Sequence, residues 1–324
     1  MRYGLPSIMA SIILAGLLGG CGQSAQAPPA APVHVAYAGS LELLNNQVIG
    51  PAFHRDTGIP YQGQGGGSFG IAHEIAAGSI PANVFESIGY APIKILEPRQ
   101  TSWALEIAAS PLVIAFSPHS RYAAQLNLIR QGRKPVQDVF QIMAQPGFKL
   151  GRTNPNTDPQ GQAFVMMVEL AQKQYHLPAR TVSRILGPLT SGPEIYTEEG
   201  VLSLLQTGGL DASSAFLSEA QERHLDYIPL PASLNFASPA EAGVYQSAHL
   251  TLSSGSVVTG TPLTVDVTAL GRQGEKNAVA FINFLISPKG QAAFQKAGYQ
   301  VFAPKVLGAA KNMPSPLQHA LAHA

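Results

Sequence analysis

Residues 151–172 read GRTNPNTDPQGQAFVMMVELAQ: two X-Pro steps, two Asn, an Asp and a Gly directly ahead of an apolar run with helical spacing. A residue before proline is pushed out of the helical region, so Asn154 and Asp158 belong to a turn rather than to a helix. Pro159 suits the first helical position, where a missing N–H leaves nothing unpaired, and the Asp158 carboxylate can accept from the open N–H groups beside it. A helix is therefore expected from Pro159 to about His176. FKLGR, just upstream, reads as a strand. Strand, special turn and helix in succession form one α/β unit.

The same alternation extends in both directions. VHVAYAG (33–39) reads as a strand closing on Gly39, followed by helical spacing in LELLNNQVIGPAF. A second strand is expected at Ile59–Gln64, then GGGSFG and a helix over IAHEIAAG. NVFESIG (83–89) and PLVIAFS (111–117) are further strands, the latter apolar throughout, as strands covered on both faces are. A helix is expected near 136–145 and another over VLSLLQTGG (201–209), with LDASSAF and YIPLP as strands. EKNAVAFINFLISPKGQAAFQKAG divides into two helices at Ser287-Pro288. The class is α/β with mostly parallel sheets.

The N-terminus, MRYGLPSIMASIILAGLLGGC, has one Arg, then an apolar run of about a dozen residues, then small residues, the layout of a secretory signal peptide (1–20) and too short for a bilayer span. Leu18-Gly19-Gly20-Cys21 resembles a lipobox, so Cys21 is expected to carry lipid. It is the single Cys, which excludes an intrachain disulfide and a catalytic thiol. GQSAQAPPAAP (22–32) has no charge and no large apolar group and reads as a tether. The remaining residues, about 290, suggest two lobes. Lys and Arg number 20 against 19 Asp and Glu, with no basic cluster, so nucleic acid is not the partner expected. The nine His show no ligand spacing, and no bound metal cation or cofactor is expected.

AYAGSL (36–41), GGGSFG (65–70), ANVFESIGYAPI (82–93), GRTNPNTDPQG (151–161) and FINFLISPKGQAAFQKAGYQVFAP (281–304) stand in the order and spacing of the molybdate/tungstate-binding proteins of ABC importers, closest to the tungstate-type subgroup. The resemblance covers nearly all of the chain beyond the tether. It implies a type II periplasmic binding fold, two lobes joined by hinge strands, with lobe I at 33–115 plus 248–310, lobe II at 116–247 and a tail at 311–324. It also implies a monomeric, non-enzymatic receptor outside the cytoplasm, tethered through Cys21. Such a receptor would hold a molybdate or tungstate oxyanion between its lobes and hand it to a membrane permease and its ATPase.

Several residues are candidates for the anion site. Ser40, Ser68 and Ser87 stand in small-residue turns after strands, with Gly39 and Gly67 beside the first two. Strand ends in an open α/β sheet line the ligand crevice, and helix N-termini offer unpaired N–H groups to an anion. Each serine also reads simply as a helix cap. By resemblance Asp158 gives a carboxylate oxygen to the metal centre of the bound oxyanion. Aligned on Gly209-Leu210-Asp211, the second carboxylate of the relatives falls on Ala215, which cannot coordinate; Glu86 is a candidate replacement, although strand alternation can turn it away. Arg152, Tyr90 and Tyr196 either shape the cleft or belong to the surface. Receptors for another anion or a small organic solute fit the same residues. Gly66-Gly67-Ser68-Phe69-Gly70 also satisfies G-x-S-x-G, so a tethered serine hydrolase using Ser68 is the reading from another class.

Overall fold

Strand β1 (Val33–Ala38) is apolar and almost wholly buried, and β2 (Tyr61–Gly66) runs parallel beside it, from Val33 opposite Tyr61 to Ala38 opposite Gly66. On the other side of β1 lies β3 (Val84–Ile88), also parallel. The later strands are β4 (Trp103–Ala109), β5 (Leu112–Phe116), β6 (Leu150–Thr153), β7 (Ile195–Tyr196), β8 (Ala212–Phe216), β9 (Asp226–Pro229), β10 (His249–Thr251), β11 (Val257–Thr259), β12 (Thr264–Ala269) and β13 (Gln300–Gly308). They form a six-stranded sheet in the order β13-β4-β12-β3-β1-β2, a five-stranded sheet in the order β7-β6-β8-β5-β9, and the hairpin β10-β11. This computed structural model describes residues 31–189, 195–271 and 276–322, so the signal segment, Cys21 and nearly all of the tether lie outside the described residues.

Both sheets are mixed rather than mostly parallel. β12 runs antiparallel between β3 and β4, β13 is antiparallel to β4, and β5 is antiparallel to both β8 and β9. The antiparallel partners are the strands that cross between sheets or return from the far end of the chain. β5 pairs into the second sheet, so the first crossing lies between Ala109 and Leu112 and not after residue 115. Within the C-terminal residues 311–324, Ser315–Ala322 is a helix with Leu317 buried.

The helix Pro159–Tyr175 packs on β5, β6, β8 and β10, and its residues from Pro159 to Val168 are all buried. A helix covered on every side needs an exact start, and the turn before it supplies one. In the first lobe Phe53 meets Phe281 and Phe284 edge-on at 5.1 and 5.8 Å, and Tyr61 stacks on Phe281. Ser287 accepts from Gly290 N–H and caps the Pro288–Lys296 helix, so the break falls where Ser287-Pro288 placed it.

Arg152 is neither in the cleft nor at the surface. It is fully buried on β6, and its guanidinium donates to the carbonyls of Leu186 (3.0 Å), Pro188 (2.6 Å) and Leu189 (2.8 Å) at the end of the Ala179–Leu186 helix. It closes a helix C-terminus, whose carbonyls favour a cation. Arg152→Ala is expected to lower unfolding stability by about 3 kcal/mol, because a fully buried side chain is removed and three carbonyls at the helix end, that of Leu186 buried, lose their donor; urea unfolding followed by circular dichroism reads this directly.

Candidate functional site

A cavity of about 590 Å³ opens between the two sheets. From the first lobe it takes Gly39 and Glu42, just after β1, and Gly65 to Gly67 at the end of β2; from the second it takes Asn154, Thr157 and Asp158 after β6 and Ile195 to Glu199 around β7. Four strand ends and the helices that follow them thus converge, as ligand crevices in open α/β sheets do.

The turn at 154–158 is held by its own polar atoms. Asn154 Oδ1 accepts from Asn156 N–H at 3.0 Å, and Asn154 O accepts from Thr157 N–H and Asp158 N–H at 3.1 and 2.9 Å. Asp158 Oδ1 accepts from Gln160 N–H at 2.7 Å, the helix cap expected. The turn also reaches outward. Asn156 Oδ1 accepts from Ser253 N–H of the β10-β11 hairpin at 3.0 Å. Thr157 O accepts from Phe69 N–H (3.1 Å) and Gly70 N–H (3.3 Å), the open donors at the start of the Ser68–Ala77 helix in the other lobe. A Cβ at Gly67 would stand 2.7 Å from Thr157 O, so glycine is required for this approach.

Glu198 is the residue that sequence reasoning missed. Thr197 accepts from Gly200 N–H at 3.1 Å and caps the helix Glu198–Thr207. The first residue of that helix is buried and brings its carboxylate against Gly39. A Cβ on Gly39 would lie 2.0 Å from Glu198 Oε2, which itself has no hydrogen-bond partner among the described residues. Glu198 thus stands as a second carboxylate in the cavity that Asp158 lines. Ala215, where the alignment placed it, is fully buried on β8 among Val113, Val201 and Leu205. The available signal was the helix start itself, Thr197-Glu198-Glu199 ahead of an apolar run.

Glu42, Asp158, Glu198 and Glu199 line the cavity, and none of the described residues lining it is Lys or Arg. Arg223 pairs with Glu199 from outside. Behind Asp158, buried Glu219 accepts from Gln160 Nε2 at 2.8 Å and Phe216 N–H at 2.6 Å. Burial pushes Asp158 up to about 6 and Glu219 up to about 8. Glu198 is raised well above the usual carboxylate range by burial first and then by the charges of Asp158 and Glu219.

The other candidates divide. Gly39, Gly67, Asp158 and Tyr196 line the cavity. Ser40 is buried behind Gly39, its carbonyl accepting from Tyr299 OH at 3.1 Å. Ser68 Oγ accepts from Ile88 N–H at 3.1 Å, and Ser87 Oγ donates to Gly89 O at 2.8 Å, so both serve the backbone of their own lobe. Ser68 is 1% exposed and follows β2, the edge strand of its sheet, which does not match an exposed nucleophile elbow. Glu86 turns away from the cavity. It is fully buried, accepts from Asn45 Nδ2 at 3.1 Å, and is pushed by burial up to about 7. Tyr90 donates to Glu97 and lies elsewhere.

A family model described as bacterial extracellular solute-binding protein matches residues 33–300. The molybdate/tungstate-binding protein WtpA of Pyrococcus abyssi is 25% identical over 346 residues, covering 98% of this chain and 98% of that protein. Its namesake in Thermococcus kodakarensis is 25% identical over 311 residues, covering 88% and 85%. Among solved structures, the periplasmic molybdate-binding protein of Azotobacter vinelandii superposes with a TM-score of 0.56 at 18% identity, covering 83% of this chain and 98% of that one. The sulfate-binding protein SubI of Mycobacterium tuberculosis gives 0.53 at 13% identity, covering 84% and 87%. The fold is the type II periplasmic binding fold.

Gly67→Ala is expected to part the lobes at Thr157 while each lobe stays folded, and amide exchange at Phe69 and Gly70 should quicken at least about tenfold. Glu86→Gln tests the buried acid. The folded-state pKa, about 7, lies above the ordinary glutamate value of 4.5, so the folded chain binds more protons in that window and this group's stabilisation is lost as pH rises through it. The variant should match the wild type near pH 4.5 and exceed it at pH 8 by up to roughly 3 kcal/mol, read by urea unfolding at the two pH values.

Proposed function

The chain belongs to the bacterial extracellular solute-binding protein family, and from that premise we propose that it captures a small oxyanion, molybdate or tungstate, in the cleft between its lobes. As a solute-binding protein of an ABC transporter it acts outside the cytoplasm and is not an enzyme.

One observation carries the choice of ligand. Asp158 and Glu198, both buried side chains, line one cavity that has no cationic residue among its described lining. Sulfate or phosphate, whose central atom takes no further donor, would meet two carboxylates of its own sign there. The metal of molybdate or tungstate is a hard centre that accepts further oxygen ligands, and this turns the same two carboxylates into bonds. Asp158 and Glu198 are the ligands in this reading, with Ser40 N–H and the glycine backbones at Gly39 and Gly67 close around the oxyanion's own oxygens. The names of the two relatives support the same solute class. A monomer tethered through a lipid on Cys21, passing its solute to a permease and ATPase, completes the proposal.

Titration calorimetry of the soluble chain starting after Ala31 tests it, with molybdate, tungstate, sulfate and phosphate in parallel. Molybdate or tungstate should bind saturably and sulfate and phosphate at least about a hundredfold more weakly, a difference of about 2.7 kcal/mol. Glu198→Gln and Asp158→Asn should each weaken binding by at least about thirtyfold. Equal binding of sulfate would remove the metal-coordination reading. Binding of none of the four would remove the oxyanion itself.

A further inference from the structure

A second constellation lies in the first lobe, away from the cleft, and a bulge creates it. β12 pairs Val265 with Ala108 and then Asp266 with Glu106; β13 pairs Val301 with Ala108 and then Lys305 with Glu106. Ile107 is skipped on both sides. In an unbroken register Asp266 would oppose Ile107 and stand on the face away from Glu106. The bulge brings the two acids onto one face, directly opposite each other, an arrangement that costs stability between like charges.

Lys305 opposes Glu106 from the other side and balances one of the two charges. Asp266 is left. It is 0% exposed; Oδ1 accepts from Thr264 Oγ at 2.8 Å, and Oδ2 has no hydrogen-bond partner among the described residues. The same threonine hydroxyl lies 3.4 Å from Glu106 Oε2, so the two carboxylates converge on one point. Asp266 and Glu106 belong to a cavity of about 430 Å³ that shares no lining residue with the cleft. Its walls include Tyr90, Pro239, Pro262 and Leu307, and Lys94 and Lys305 are exposed where they meet it.

We propose that this cavity binds a small primary ammonium compound whose –NH3+ donates to Asp266 Oδ2 and the Glu106 carboxylate. Of the two lysines lining the cavity, Lys305 opposes Glu106 and Lys94 lies over Tyr90, which leaves no cation opposite Asp266 among the described residues; its bare Oδ2 asks for a donor, and an ammonium brings donor and charge together. The apolar walls accept a short alkyl chain, as ligand pockets of this size do. Tyr90 already holds a cation near its face, with Lys94 Nζ 5.5 Å from the ring centroid. Burial first, and then the Glu106 charge, push Asp266 well above the usual carboxylate range, against Thr264 and Lys305; an ammonium at Oδ2 would pull it back.

Calorimetry of the soluble chain with n-butylammonium chloride, sodium butyrate and magnesium chloride tests this. Saturable binding of n-butylammonium is expected, with none of butyrate, and Asp266→Asn should weaken it at least about tenfold while tungstate binding at Asp158 and Glu198 stays as in the wild type. Should Asp266→Asn unfold, Glu106→Gln must produce the weakening instead. The proposal is overturned if n-butylammonium gives no heat up to about 50 mM, if a folded variant binds it as the wild type does, or if magnesium binds in its place. None of these outcomes bears on the oxyanion cleft, which shares no residue with this cavity.

Discussion

Two carboxylates buried in one cavity without a lysine or arginine beside them form an arrangement that a protein in water avoids, and the rest of the cleft is organised around Asp158 and Glu198. Each is the first group of a helix, one as the cap of Pro159–Tyr175 and one as the first residue of Glu198–Thr207. Helix starts tolerate negative charge better than any other place on a regular element, because the N–H groups and the dipole face it. That tolerance brings the two acids near each other at all. It does not neutralise them, and both remain raised above the ordinary carboxylate range.

The unusual composition of the 151–161 segment follows from the number of tasks it has. Asn154 folds the turn, Asn156 ties it to the hairpin, Thr157 offers its carbonyl to the other lobe, and Asp158 both starts the helix and faces the cavity. Gly161 is part of the same compactness, since a Cβ there would lie 2.5 Å from Thr153 O. A helix cap alone would have needed only one of these residues.

The turn, its helix, the strands β1, β3, β5 and the break at Ser287 were legible because each rests on local rules: fixed proline φ, capping side chains, continuous apolar runs. β12 and β13 were not. TVDVTA buries all six residues, Asp266 and both threonines included, through partners that lie more than a hundred residues away, and QVFAPKVLG carries a proline that only its edge position in the sheet accommodates. Glu198 was readable as part of a helix start but not as part of the cavity, because what brings it there is its packing against Gly39 and its place beside Asp158, both on other elements. Arg152 misled for the same reason, its three carbonyl partners lying beyond residue 185.

The strand order β13-β4-β12-β3-β1-β2 places β12, residues 264–269, in the interior of a sheet whose other early members end by residue 109. The second sheet is drawn from one continuous stretch, 112–229. As the chain grows from its N-terminus, β3 and β4 must therefore wait with their facing edges unpaired while the second lobe already has every strand it needs. Order of assembly is written into the topology: the later segment of the chain becomes the earlier domain, and the first lobe closes only when the last fifth of the sequence arrives.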